Sequence, residues 1–288
     1  NCAWEAARAR GRAEWKGYYA RQQLGAMLSA LSQRRQLAPA TKGLFHVFRM
    51  IPFITAREAI MELLHRMRRL LSSTKVDLGA LRQREPISRN FGYERGNPVD
   101  RPYMERFLGD HAADIKGRVL EVGDNTYTMR FGGRAVEKSE VLHVDPDAPN
   151  ATYCTDLTTG EGIPDGIFDC IVLTQTLHLL YDFKQAVATL ERLLKPGGVL
   201  LLTVPGVSSI DRGEWGETWY WSFTPASLRR LMSDAFGPEA VAITCYGNVL
   251  TATAFLYGLA EADLMPEDYA HQDPQYPVIV AARVQKQA

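Results

Sequence analysis

Two short apolar runs constrain this chain more than any other feature: Val119-Leu-Glu-Val-Gly123 and Val141-Leu-His-Val-Asp145. Each is rich in leucine and β-branched residues and stops at a glycine or an acid. That is the pattern of a strand buried on both faces of a parallel sheet. The first run breaks at Gly123, where a missing side chain lets a ligand approach the backbone. The second ends at Asp145, twenty-four positions after Glu121, where a carboxylate can bind both hydroxyls of a ribose. Together they predict the nucleoside-binding half of an α/β fold.

The elements around these runs alternate. Strands are expected at 118–122, 140–144, 151–155, 167–174, 197–204, 239–246 and 276–284, and helices at 99–111, 182–195, 225–236 and 248–260. Such alternation implies a parallel sheet covered by helices on both faces. Residues 86–288 form this domain, and residues 1–85 form a helical accessory or linker segment. In that front segment, residues 3–36 favour helix. Thr55 and Glu58 make a capping box, and Ile60, Leu63, Leu64, Met67, Leu70 and Leu71 recur at helical spacing.

The net charge of zero conceals an asymmetry. Residues 1–85 hold sixteen Lys or Arg against six acids, and residues 86–288 hold seventeen against twenty-seven. The basic front reads as a solvated or docking face. Without aromatic interleaving or an RNA-binding signature, no nucleic-acid partner is expected. Cys2, Cys154, Cys170 and Cys245 are scattered, which suits a reducing, cytoplasmic compartment and suggests neither a disulfide framework nor a metal site. No apolar run is long enough to span a bilayer as a helix. The chain opens at Asn1 inside a helical pattern, as a fragment of a longer polypeptide would.

The chemistry gathers at the predicted carboxyl ends of the strands. After Gly123 the chain reads Asp-Asn-Thr-Tyr-Thr in place of the remaining glycines of G-x-G-x-x-G, which argues against a pyrophosphate on a helix N-terminus. That change disfavours a nicotinamide-dependent oxidoreductase and suits a nucleoside without phosphates. Asp156, closing the third strand, is placed to take the exocyclic amine of adenine. Phe168-Asp-Cys-Ile-Val-Leu-Thr-Gln-Thr-Leu-His178 is a buried strand running into polar groups, so Gln175 and His178 face the site. An imidazole there is suited to act as a general base. Leu193-Leu-Lys-Pro-Gly-Gly198 then closes a helix and turns into the fifth strand.

In order and spacing, Val-Leu-Glu121-Val-Gly123, Asp145, Asp156, the Phe168 strand and Leu-Lys-Pro-Gly-Gly resemble the class I S-adenosylmethionine-dependent methyltransferases over residues 86–288. The resemblance implies a Rossmann-like sheet of seven strands with the last pair antiparallel, and S-adenosyl-L-methionine as cofactor. Asn90-Phe-Gly-Tyr-Glu-Arg-Gly-Asn-Pro-Val-Asp-Arg101, Leu173 to Tyr181, Trp219-Tyr-Trp-Ser-Phe-Thr224 and Tyr246-Gly-Asn-Val-Leu250 look like a bacterial subgroup. Members of that subgroup occur beside, or fused to, glycosyltransferases of surface-polysaccharide assembly. Ser222 stands where the subgroup usually has arginine.

From this resemblance follow the expected roles. Glu121, Gly123, Asp145, Asp156 and Gln175 hold the cofactor, with Tyr93 and Arg95 at its amino-acid end. Arg101 offers a further donor and is counted with the acceptor side. Trp219, Tyr220 and Trp221 form the acceptor wall, and His178 is the base. The nitrogen-methylating families that act on planar amides or bases carry an Asn/Asp-Pro-Pro-aromatic run after the fourth strand. Thr174-Gln-Thr-Leu177 stands there instead, which leans toward an oxygen of a glycan or a similar small hydroxylated acceptor. The competing reading is a methyltransferase-fold interaction module that has lost tight cofactor binding, attached to a glycosyltransferase.

Overall fold

Leucine and β-branched runs pair into one seven-stranded sheet. The strands are β1 (Gly117–Val122), β2 (Val136–His143), β3 (Tyr153–Cys154), β4 (Phe168–Thr174), β5 (Leu194–Pro205), β6 (Val241–Tyr246) and β7 (Ile279–Gln285). Their order across the sheet is β3-β2-β1-β4-β5-β7-β6. The first five are parallel, and β7 runs antiparallel between β5 and β6. This is the Rossmann-like methyltransferase sheet expected from the sequence. The computed structural model describes residues 79–287 except 149, together with Leu64, which is helical. The expectations for helix over 3–36, the capping box at Thr55 and the rest of the stripe from Ile60 lie outside the described residues.

Adjacent strand residues point to opposite faces, so each strand serves two cores. Leu120, Ile171, Leu173, Leu200 and Leu202 pack on one side with Leu190, Leu228 and Met232. The last three come from helices α2 (Phe183–Leu193) and α3 (Pro225–Phe236). Val119, Cys170, Val172, Val199 and Leu201 pack on the other side with Tyr103, Phe107, Ala252 and Phe255. Those belong to α1 (Arg101–Asp110) and α4 (Val249–Leu256). A short α5 (Pro266–Ala270) follows.

The element boundaries shift where local chemistry overrides the apolar pattern. β2 starts at Val136, ahead of the expected 140, because its first half carries the exposed Glu137 and Lys138 and so lacks an apolar signature. α2 stops at Leu193, short of 195, because Pro196 holds Lys195 extended. β5 therefore begins at Leu194, and its register slips at Gly197-Gly198, with Phe168 opposite Leu194 but Cys170 opposite Val199.

Before α1, the chain is fastened along the segment that follows α4. Ile87 N donates to Tyr257 O at 2.8 Å, Glu261 N to Asn97 O at 2.7 Å, and Pro98 bridges Ala260. Two glycines make this approach possible. A Cβ on Gly92 would sit 2.5 Å from Leu259 O, and one on Gly258 would sit 2.2 Å from Ser88 O. Both have positive φ, so larger residues would be strained as well as crowded.

Candidate active site

The chain winds outward from β1 through β2 and β3, then returns to place β4 on the other side of β1. In open parallel sheets that reversal leaves a crevice beyond the carboxyl ends of the strands. Here it opens into a cavity of about 1050 Å³, with Glu121 to Asp124 after β1, Leu142 to Val144 after β2 and Thr174 to Thr176 after β4 on its wall.

On the β1 side, carboxylates are used to shape turns. Glu121 is buried and accepts from Thr128 N at 2.7 Å and Tyr127 N at 3.3 Å. Burial pushes its pKa up, against the pull of those amides. Gly123 has φ 98° with nothing within 4 Å of the place a Cβ would take, so the wall is open there. In the next turn, Asp124 Oδ1 accepts from Thr126 N at 2.8 Å, and Asn125 Nδ2 donates to Ser139 Oγ at 3.2 Å. Side chains thus do the shaping that glycines would do in a dinucleotide loop. Asp156 lines the cavity while its Oδ1 accepts from Thr158 N at 2.7 Å.

After β4, Gln175 has φ 48°, unusual for a residue with a Cβ, and its N–H donates to Thr203 O at 3.0 Å. Left-handed backbone outside glycine costs of order 1–3 kcal/mol and clusters at binding sites. His178, 2% exposed, lies in the wall with Nδ1 sealed from solvent and without a hydrogen-bond partner. Burial lowers its pKa to about 4, so the ring is neutral near neutral pH. Trp219 meets it edge-to-face at 4.4 Å and stacks on Phe91 at 5.9 Å. The His178 carbonyl accepts from Tyr220 N and Trp221 N, tying the aromatic flap to the β4 turn.

The cavity gathers most of the residues expected from the sequence: Glu121, Gly123, Asp156, Gln175, His178, Tyr93, Arg101, Trp219 and Tyr220. Three are placed elsewhere. Asp145 is exposed just past His143 and Val144, off the wall, with Oδ1 accepting from Asp147 N at 2.9 Å. Arg95 turns away to grip Asp263 through Nε and Nη2 at 3.1 and 2.8 Å. Trp221 packs against the core, its Nε1 donating to Leu180 O at 3.0 Å and its ring edge-on to Phe183. Spacing marked these residues as near the site, but not which way each side chain turns. Arg101 is the guanidinium on the wall, bonded to the hydroxyls of Tyr127 (3.0 Å) and Tyr93.

Asp100, inside the helix expected over 99–111, lines the cavity, nine-tenths buried, with Oδ1 unpartnered. Its position before α1 would normally let it cap the helix. Pro102, at the second helical position, lacks one of the two N–H groups such a cap could bond, Asp100 itself has helical backbone angles, and no side-chain cap forms. Burial raises its pKa. The Asp-Arg-Pro spacing was the available signal. Glu214 and Trp215, also on the wall, carried none.

The chain is 31% identical over 71 residues to probable polyketide synthase 10 of Dictyostelium discoideum, a match covering 24% of this chain and 3% of that protein. The chain thus spans only a few per cent of the length of the curated relatives it matches. Among solved structures, it is similar to a SAM-dependent methyltransferase from Archaeoglobus fulgidus, with 13% identity and TM-score 0.45, covering 65% of this chain and 94% of that one. It is also similar to N-methyltransferase NodS from Bradyrhizobium japonicum in complex with S-adenosyl-L-homocysteine, with 16% identity and TM-score 0.42, covering 67% and 90%. A family model described as a methyltransferase domain matches residues 63–236, more than half of the sequence. The chain belongs to the methyltransferase-domain family.

Proposed function

We propose that the protein is an S-adenosylmethionine-dependent methyltransferase acting on oxygen of a glycan or a similar small hydroxylated acceptor. The observation that carries this reading is the buried, unpartnered His178 in the wall of a cavity at the sheet's reversal point.

The residues suit the cofactor. At about 1050 Å³ the cavity lies just above the usual range of roughly 300–1,000 Å³, which favours room for two reactants. The wall at Gly123 is open, and no glycine-rich phosphate loop is built. Among the described residues seven carboxylates and one guanidinium, Arg101, line the cavity, a set of charges suited to a ligand with a sulfonium, an ammonium and one carboxylate. Gly123, Asp156 and Gln175 would hold the nucleoside, with Asp145 reaching its ribose. Tyr93 and Arg101 would hold the amino-acid end. When bound, S-adenosylmethionine supplies an electrophilic methyl group.

The chain's own contribution is positioning and proton removal. Alignment of reactants accounts for roughly 7–11 kcal/mol in favourable intramolecular cases. The neutral His178 ring accepts the acceptor hydroxyl's proton. Because Nδ1 is sealed in, Nε2 is the nitrogen assigned to that task. No carboxylate backs Nδ1, and burial disfavours the imidazolium, so the proton must leave as the acceptor's oxygen reacts rather than beforehand.

The resemblance to the polysaccharide-associated subgroup supports a glycosyltransferase as neighbour or fused upstream domain. Cys154, Cys170 and Cys245 are free, which suits a cytoplasmic setting. Among the described residues no helix is long and apolar enough to cross a membrane. A non-catalytic interaction module is the competing reading, favoured by Asp124-Asn125 in place of the glycine loop. Titration calorimetry with S-adenosylhomocysteine, followed by labelled-methyl transfer to a glycan panel, tests the proposal. Micromolar binding with transfer supports it. Silence in both favours the module, and binding without transfer to any hydroxylated acceptor overturns the acceptor class.

A further inference from the structure

The mouth of the cavity has a chemistry of its own. Three carboxylates stand on its wall beyond β4 and β5, Asp182, Asp211 and Glu214, interleaved with Tyr181, Trp215 and Tyr220. Among the described residues no lysine or arginine shares this part of the wall, and the neighbouring Arg212 does not line the cavity. Two of the carboxylates also hold local structure. Asp182 accepts from Gln185 N at 3.1 Å and caps α2. Asp211 accepts from Gly213 N at 2.9 Å and Trp215 N at 2.8 Å, bonds that keep it charged. Glu214 has neither a hydrogen bond nor an ion pair among the described residues, and it is exposed.

The rings add to this field. Tyr181 and Tyr220 stand edge-to-face at 5.4 Å and are 72% and 46% exposed, and Trp215 is 42% exposed. Exposed aromatic faces attract cations through their quadrupole, and carboxylates beside them add Coulombic attraction. Among the described residues, the charged side chains that an anionic acceptor would meet here are all carboxylates. The mouth is continuous with the pocket that holds His178, whose Nδ1 is buried and unpartnered.

Resting on the methyltransferase reading, we infer that the acceptor is a hydroxylated molecule carrying a protonated amine, of the amino-sugar type. Its ammonium is held among Glu214, Asp211, Asp182 and the three rings while its hydroxyl is presented to His178. Phosphorylated, nucleotide-linked and uronate acceptors are excluded by the same charges.

The test uses three sugars of matched shape and different charge: glucosamine, N-acetylglucosamine and glucuronate. Each is titrated into the full chain saturated with S-adenosylhomocysteine and followed by ligand-observed NMR at low and high salt. Glu214→Gln is the variant, because Asp182 and Asp211 also hold backbone in place. The expected order is glucosamine tightest and glucuronate weakest. Glu214→Gln should weaken glucosamine about twofold to fivefold, the range of an exposed charge pair, and high salt should shrink the preference. Glucuronate binding as well as glucosamine, a preference unmoved by Glu214→Gln, or no glucosamine binding at all would overturn the inference. S-adenosylhomocysteine binding is measured in the same samples. Its loss would count against the methyltransferase reading, whereas its retention beside a flat charge series counts against this inference alone.

Discussion

The two sides of the cavity are built by different means. On the side of β1, β2 and β3, Glu121, Asp124 and Asp156 each spend a carboxylate oxygen on a nearby backbone amide. On that side these three carboxylates are committed to turns before any ligand arrives, while Thr128 Oγ1 and the Asp100 Oδ1 beside Arg101 stay unpartnered. On the side of β4 and β5 the wall is aromatic and the His178 Nδ1 has no partner; Asp182 and Asp211 bind backbone amides, but Glu214 has no hydrogen bond or ion pair among the described residues. On the proposed function the two sides would have separate tasks, the first fixing the shape that holds the cofactor and the second meeting a variable acceptor. Unsatisfied buried groups cost stability, so they persist where binding or chemistry uses them.

The largest effect should come from breaking the side of β4 and β5. His178→Ala is expected to lower turnover roughly 10²–10⁴-fold with S-adenosylhomocysteine affinity little changed. Steady-state rates beside calorimetry check this, and near-normal turnover from mildly acid to mildly basic pH would shift the base to Asp182 or Tyr181.

The same residue should give stability a pH dependence. Folded His178 titrates near 4 and an ordinary imidazole near 6.5. Between those values the unfolded chain binds more protons, so this contribution is complete above pH 6.5 and is lost as pH falls toward 4. Its size is on the order of 3 kcal/mol. Urea unfolding of wild type and His178→Leu at pH 7 and pH 4.5 should show the wild type losing more. Equal losses would mean the ring is hydrated in solution.

On the other side, Asp145→Ala and Arg101→Met should each weaken S-adenosylhomocysteine by about tenfold to hundredfold, as loss of a charge-assisted hydrogen bond does. For Asp145 this is the sharper test, because the carboxylate lies off the wall. Unchanged affinity would pass the ribose to Asp124 or Asp156. The smallest effect is expected from Arg95→Ala, which removes an exposed pair with Asp263 and should leave cofactor affinity at the wild-type value. A clear loss there would show that Arg95 exchanges Asp263 for the ligand.

The sheet was legible in the sequence because its signals are local. Val119 to Gly123, Phe168 to Thr174 and Leu200 to Val204 are buried on both faces and read as strands from composition alone. The positions of Glu121, Gly123, Gln175 and His178 followed, since a strand's carboxyl end is defined by the strand. Side-chain direction in the connecting segments was not legible. Arg95 and Arg101 are six residues apart in a polar loop, and only the bridge to residues 257–263 decides that one faces Asp263 and the other the cavity. Trp219 and Trp221 likewise differ by a twist of the flap, and the His178 carbonyl that anchors it lies forty residues upstream. Asp100 escaped notice because its distinction is a bond it fails to make.

The left-handed backbone at Gln175 carries a consequence for how this protein can change. Selection for robustness alone would favour glycine there, relieving the strain at the cost of a side chain. A laboratory lineage evolved for heat resistance without an activity screen is therefore expected to acquire Gln175→Gly early, and one evolved under an activity screen to resist it. The position would then record, in a single codon, whether a population was asked to survive or to work.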